Sequence, residues 1–149
     1  MNIKDVEAKN LENGEDKLDF IFSRQKELMD KYHDIEKKNG LLQTEDVPVN
    51  IDSHLGQARL KDFAWRVTEE IGEAMNCLKN KPWKQTQMET DVLHYKEELA
   101  DAFHFFVELC ILSGINSEDL FNLYFRKSEV NKFRQRSKYW TGGINGIYH

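Results

Sequence analysis

Apolar residues recur along this chain at intervals of three and four, the signature of amphipathic helices. Between about Lys17 and Lys38, the stretch DFIFSRQKELMDKYHDIEKK carries Phe20, Ile21, Leu28 and Tyr32 at helical spacing. A second pattern runs from about Leu55 to Leu78, with Phe63, Val67, Ala74 and Leu78 on one stripe, until NKPWK (80–84) breaks it. The third covers about Met88 to Ser113 and stops at Gly114, a suitable C-terminal cap. Asn116 and Ser117 can cap the fourth, which begins near Glu118 and reaches about Lys138, burying Leu120, Leu123 and Tyr124. NGLLQTEDVPVNIDS, with Gly40 and Pro48, reads as an irregular connection. No segment makes a convincing strand, so the expectation is an all-α four-helix bundle in a single domain over 1–149. Residues 1–14 should fray, and the glycine-rich tail 140–149 should be mobile or held by a partner.

Composition narrows this little. The 149 residues are 40% hydrophobic and 32% charged, as in ordinary globular domains. A net charge of −5 gives no general attraction to nucleic acid or anionic membrane. No apolar run approaches the roughly 18 residues of a membrane span, and MNIKDVEAKNLENGEDK lacks the apolar core of a signal peptide. Cys77 and Cys110 fall among core-type neighbours in helices, which predicts two buried free thiols and a reducing, cytoplasmic location. The apolar surface of four such helices exceeds what one small bundle covers, so a homodimer or homotetramer is expected.

The acidic residues change the picture. Residues 99–112 hold eleven apolar side chains in fourteen, yet Asp101 lies inside this run and Glu98 at its edge. In the second helix Glu70 falls on the stripe of Val67 and Ala74, and Glu73 follows three residues later. Glu98 and Asp101 repeat that interval. Four carboxylates brought together repel one another and raise each other's pKa. A divalent cation removes the conflict, and Mg²⁺ prefers such hard oxygen ligands while keeping positions for water and phosphate. The competing reading is a solvated face, since Glu97, Asp101, His104 and Glu108 also fall on one helical seam.

The fourth helix adds cations. Its face passes from apolar residues to Lys127, Asn131 and Arg134, and from Arg126 to Lys138 six Lys or Arg stand against Glu129 alone. That is a local anion site suited to phosphate oxygens; the alternative is favourable placement of cations at a helix C-terminus. On the loop KPWK, Trp83 could pack against a base or cover the core, beside Lys84.

EEIGE (69–73) and EELAD (97–101) together resemble the ExxE…ExxD pattern of the all-α nucleoside triphosphate pyrophosphatases, which include MazG-like enzymes and dimeric dUTPases. His104–Phe106 after the second motif, and RKSEVNKFRQRSKY (126–139), resemble the K-x-x-x-N-x-x-RQ-x-x-x-Y ending of dimeric dUTPases. The stretch from Glu98 to Tyr139 looks most like the dCTP/dUTP pyrophosphatases of tailed phages. The chain departs from many relatives in having Lys138 before the final Tyr, and it lacks the extra helical segment of longer dimeric dUTPases. The resemblance implies Mg²⁺, with Mn²⁺ as a substitute, on Glu70, Glu73, Glu98 and Asp101. It implies triphosphate binding by Lys127, Arg134 and Lys84, and nucleotide contacts from Gln25, Asn131, Tyr139 and Trp83. The implied reaction is hydrolysis of dUTP or dCTP to the monophosphate and pyrophosphate, in the host cytoplasm if the chain is phage-encoded, without stable nucleic-acid or membrane binding.

Other readings remain at this stage. A MazG-like enzyme could have another or broader nucleotide preference. A di-iron bundle would want Glu-x-x-His pairs, where this chain offers DKYH (30–33) and DAFH (101–104). A non-catalytic helical module would use the basic helix 126–138 on an acidic partner or RNA.

Overall fold

A computed structural model describes residues 1–40 and 47–137. Four long helices account for most of them: α1 (Lys17–Lys38), α2 (His54–Asn76), α3 (Val92–Leu112) and α4 (Ser117–Arg136). No strand occurs among the described residues, so the architecture is all-α as the spacing predicts. The chain divides into two compact units, Met1–Ile115 and the segment from Asn116 onward. None of the described helices is long and apolar enough to cross a membrane.

Local chemistry sets each boundary. Asp16 caps α1 by accepting the amide of Asp19 at 3.0 Å. Ser53 Oγ does the same for Gly56 at the start of α2, at 2.9 Å. α3 begins at Val92, not near Met88, because Met88 is held elsewhere. Its amide donates to Asn80 Oδ1 at 2.7 Å, and its carbonyl accepts from Asn80 Nδ2 at 2.8 Å. That clamp closes the α2–α3 loop, and Asp91 then caps α3 through the amide of His94. At the other end Gly114 takes φ 78°, while the amides of Gly114 and Ile115 reach the carbonyls of Ile111 and Cys110. This is the expected left-handed stop. α4 opens with a reciprocal capping box between Asn116 and Asp119.

The core of the first unit joins Met29, Val49, Phe63 and Leu112, with Leu60, Phe105, Leu109 and Ile111 packed against it. The amide of Val49 donates to the carbonyl of Leu112 at 2.9 Å and fastens the segment before α2 to the end of α3.

Several expectations need correction. α1 buries Phe22, Gln25 and Met29, whereas Tyr32 is exposed and Phe20, Ile21 and Leu28 are half-buried. The two faces share much of their apolar content, and the chosen one carries the buried amide. Leu78 lies beyond the end of α2 and is exposed. Cys110 is a buried free thiol, but Cys77, at the C-cap of α2, is half-buried. On α4 no side chain is buried: Leu120 is half-buried, and Leu123 and Tyr124 are exposed. The N-terminus contains a capped 3-10 turn at Ile3–Asp5. Tyr139, Lys138 and the tail 140–149 lie outside the described residues.

Candidate active site

Helices α2 and α3 bring the two acidic motifs together. One carboxylate oxygen from each of Glu70, Glu73 and Glu98 lies within 4.8 Å of the others. Asp101 stands outside this trio but is close enough for its charge to act on Glu70. Burial, first of all, pushes the Glu70 carboxyl up to about 7, followed by a hydrogen bond with Glu98 and the charges of Glu73, Asp101 and Glu98. Glu98 is buried, and its Oε2 has no hydrogen-bond partner.

These features fit a divalent metal. Mg²⁺ takes oxygen ligands at about 2.0–2.1 Å, so three acid oxygens this close are near a shared shell. A buried carboxylate oxygen without a donor is one whose charge a cation would satisfy. The all-oxygen donor set suits Mg²⁺ or Mn²⁺ over softer metals.

The acids divide between two cavities. Glu70 and Asp101 line one of about 820 Å³ between α1, α2 and α3, a volume suited to a nucleotide-sized ligand. Glu73 and Glu98 line a smaller one of about 420 Å³, together with His94 and Asn76. In the larger cavity a polar chain crosses from α1 to α3. Nδ1 of His104 lies 2.9 Å from Gln25 Oε1, and Gln25 Nε2 donates to Glu108 Oε2 at 3.4 Å. Gln25 and Glu108 are both buried. Burial is the main cause that pushes the Glu108 carboxyl up to about 7, moderated by the charges of Arg66 and Arg59 and the Gln25 hydrogen bond.

The two arginines flank an aromatic floor. The guanidinium carbons of Arg59 and Arg66 lie 4.9 and 4.4 Å from the centroid of the Phe63 ring. Each also has an acid: Arg59 faces Glu36 at 3.6 Å, and Arg66 bonds Asp62 at 3.0 Å.

The structure thus gathers Gln25, Glu70 and Asp101 on one cavity, with Glu73 and Glu98 adjoining. Trp83 and Lys84 line neither cavity. Trp83 is exposed on the α2–α3 loop with the Lys81 ammonium 5.3 Å from its ring. Lys127 and Asn131 are exposed on α4 and Arg134 is half-buried there, in the second unit. Arg59, Arg66 and Glu36 are not among the site residues expected from the sequence, and His104 and Glu108 enter there only through the competing reading of a solvated seam. The signal was present: Arg59, Phe63, Arg66 and Glu70 fall at i, i+4, i+7 and i+11, so charges alternate with the aromatic core residue on one stripe.

Similarity to known proteins agrees in kind with this geometry. The chain is 37% identical over 70 residues to a dCTP pyrophosphatase of Enterobacteria phage LZ5, covering 40% of this chain and 41% of that protein. It is 41% identical over 49 residues to the dCTP pyrophosphatase of Enterobacteria phage T4, covering 33% and 29% respectively. The matched region therefore spans well under half of these relatives. No family profile matches the chain, and no solved structure does.

Proposed function

We propose that this protein hydrolyses a pyrimidine deoxynucleoside triphosphate, dCTP or dUTP or both, to the monophosphate and pyrophosphate with Mg²⁺. The observation that carries the reading is the acid trio, with one carboxylate oxygen buried and unpartnered, beside a cavity large enough for a nucleoside. Similarity to two phage dCTP pyrophosphatases supports the reaction class.

Glu70, Glu73 and Glu98 hold the ion, with Asp101 adjacent. Bound there, Mg²⁺ supplies positive charge against the phosphate oxygens and acidifies a water. One of the carboxylates orients the attacking water. Gln25 faces the base in the larger cavity. Lys127, Arg134 and Lys84 are assigned to the triphosphate, and Asn131, Tyr139 and Trp83 to the nucleotide, on the sequence pattern they share with such enzymes. The working form is a homodimer or larger, supported by Leu99, Phe103 and Phe106, which leave an apolar face of α3 exposed.

Pyrophosphate release across all the common nucleoside triphosphates, including dUTP, with Mg²⁺ and with chelator, tests the reading. Release from dCTP or dUTP that chelator abolishes is the expected result. No release from any nucleotide overturns it.

A further inference from the structure

Resting on that reading, the larger cavity carries a second, finer one about the base. Asp101 and Glu108 both line it and lie seven residues apart on α3, about 10 Å along the helix. That is comparable to the reach from a nucleotide's phosphates to the far edge of a pyrimidine ring. The acid end of the cavity suits the phosphates, so the Glu108 end meets the base edge.

At that end the donors and acceptors are already fixed. His104 Nδ1 meets Gln25 Oε1, a contact in which a proton on Nδ1 is donated to the amide oxygen, and Gln25 Nε2 faces Glu108 Oε2. While Glu108 is ionised, turning the amide over would set its oxygen against the carboxylate and break that bond. Glu108 Oε1 has no hydrogen bond to a described residue and is the oxygen left to a ligand. Cytosine and uracil differ at ring position 4, where one offers an amino donor and the other a carbonyl acceptor.

We propose that Glu108 reads position 4 of the pyrimidine, accepting from the cytosine amino group when ionised and donating to the uracil carbonyl when protonated. A carboxyl group is the side chain that exchanges these roles by moving one proton. The groups facing it allow the exchange near neutrality. Gln25 and Glu36 approach from α1, Arg59 and Arg66 from α2, and His104 acts through Gln25 from α3 itself. Burial and Glu36 favour the proton, while the arginines and the Gln25 bond oppose it, leaving Glu108 at about 7.

The test is the ratio of kcat/KM for dCTP to that for dUTP, measured with the whole protein and Mg²⁺ between pH 6 and 8. Titration of the shared triphosphate and of the metal carboxylates cancels in this ratio. It should rise about tenfold with pH, the scale of one matched against one mismatched hydrogen bond. In Glu108→Gln, whose amide neither gains nor loses a proton over this range, the ratio should stay level with pH within about twofold. A level ratio in the wild type overturns the proposal, as does an equal rise in Glu108→Gln or turnover of one base alone at every pH. Loss of pyrophosphate release from both nucleotides would instead defeat the hydrolase reading, which is a distinct result.

Discussion

Nε2 of His94 lies 3.5 Å from Oε1 of Glu98, one helical turn further along α3. The histidine is half-exposed and the carboxylate almost covered, so the imidazole lies on the solvent side of one oxygen. The other oxygen, Oε2, stays buried without a partner beside Glu70 and Glu73. Were Glu98 to hold a metal ion, this neighbour would favour the orientation that offers Oε2, as outer contacts do for metal ligands.

Removing that charge should separate folding from chemistry. Glu98→Gln is expected to keep the helical circular dichroism spectrum. Without Mg²⁺ its Tm should equal or exceed that of the wild type, because one member of a repelling cluster is neutral. Mg²⁺ should raise the wild-type Tm by binding the folded state, and the variant's far less. Nucleotide hydrolysis should fall by orders of magnitude. Near-normal turnover, or an undiminished Mg²⁺ shift, contradicts the assignment of Glu98.

Glu108 makes stability depend on pH in a defined direction. Its carboxyl ionises near 4.5 when unperturbed and at about 7 in the fold, so between these values the folded state binds the extra proton. Stability present below pH 4.5 is therefore lost as pH rises through about 7, by at most about 3 kcal/mol and less where solvent screens the group. Urea unfolding from pH 5 to 8 should show this fall in the wild type and a shallower one in Glu108→Gln. Parallel curves would remove Glu108 as the cause.

What the sequence could convey follows from which signals are local. Helix positions and caps at Asn116 and Gly114 depend on a few neighbouring residues, and these are where pattern and structure agree. The start of α3 was misplaced because the Asn80–Met88 clamp spans eight residues and has no periodic signature. Pairing Glu70 with Glu98 was legible because both motifs share one spacing and Glu70 sits on an apolar stripe. Glu108 was not, since its environment comes from Gln25, 83 residues away, and from two arginines on another helix. A charged residue on a helix looks solvated until its cross-helix partners are known.

Gly56 shows how tightly the entry to α2 is built. It is buried in the first turn, and a β-carbon there would meet the backbone carbonyl oxygen of Asn50 and the Ser53 hydroxyl. The same hydroxyl accepts the Gly56 amide, so it cannot move aside without uncapping the helix. Gly56→Ala should lose about 2–4 kcal/mol despite the better helix propensity of alanine. Gly72, with open space around its α-carbon, is the control: Gly72→Ala should be neutral or stabilising. Equal unfolding midpoints for the two variants would show that the turn yields easily.

The exposed face of α3 bears on assembly. Leu99, Phe103 and Phe106 follow at i, i+4 and i+7, and the two phenylalanine rings stack at 6.5 Å between centroids. Both rings remain about two-fifths exposed, although α3 also carries the buried residues Ala102, Val107 and Cys110. An aromatic pair left in water on an otherwise core-forming helix suits contact with a second copy. Phe103→Glu places a charge in that contact at a position that lines neither cavity. Light scattering after gel filtration should find the wild type as a dimer or larger, and the variant shifted towards monomer by at least about tenfold in dissociation constant. Helical content should be unchanged. A wild-type monomer at micromolar concentration, or a variant that assembles as the wild type does, would assign this face no part in association.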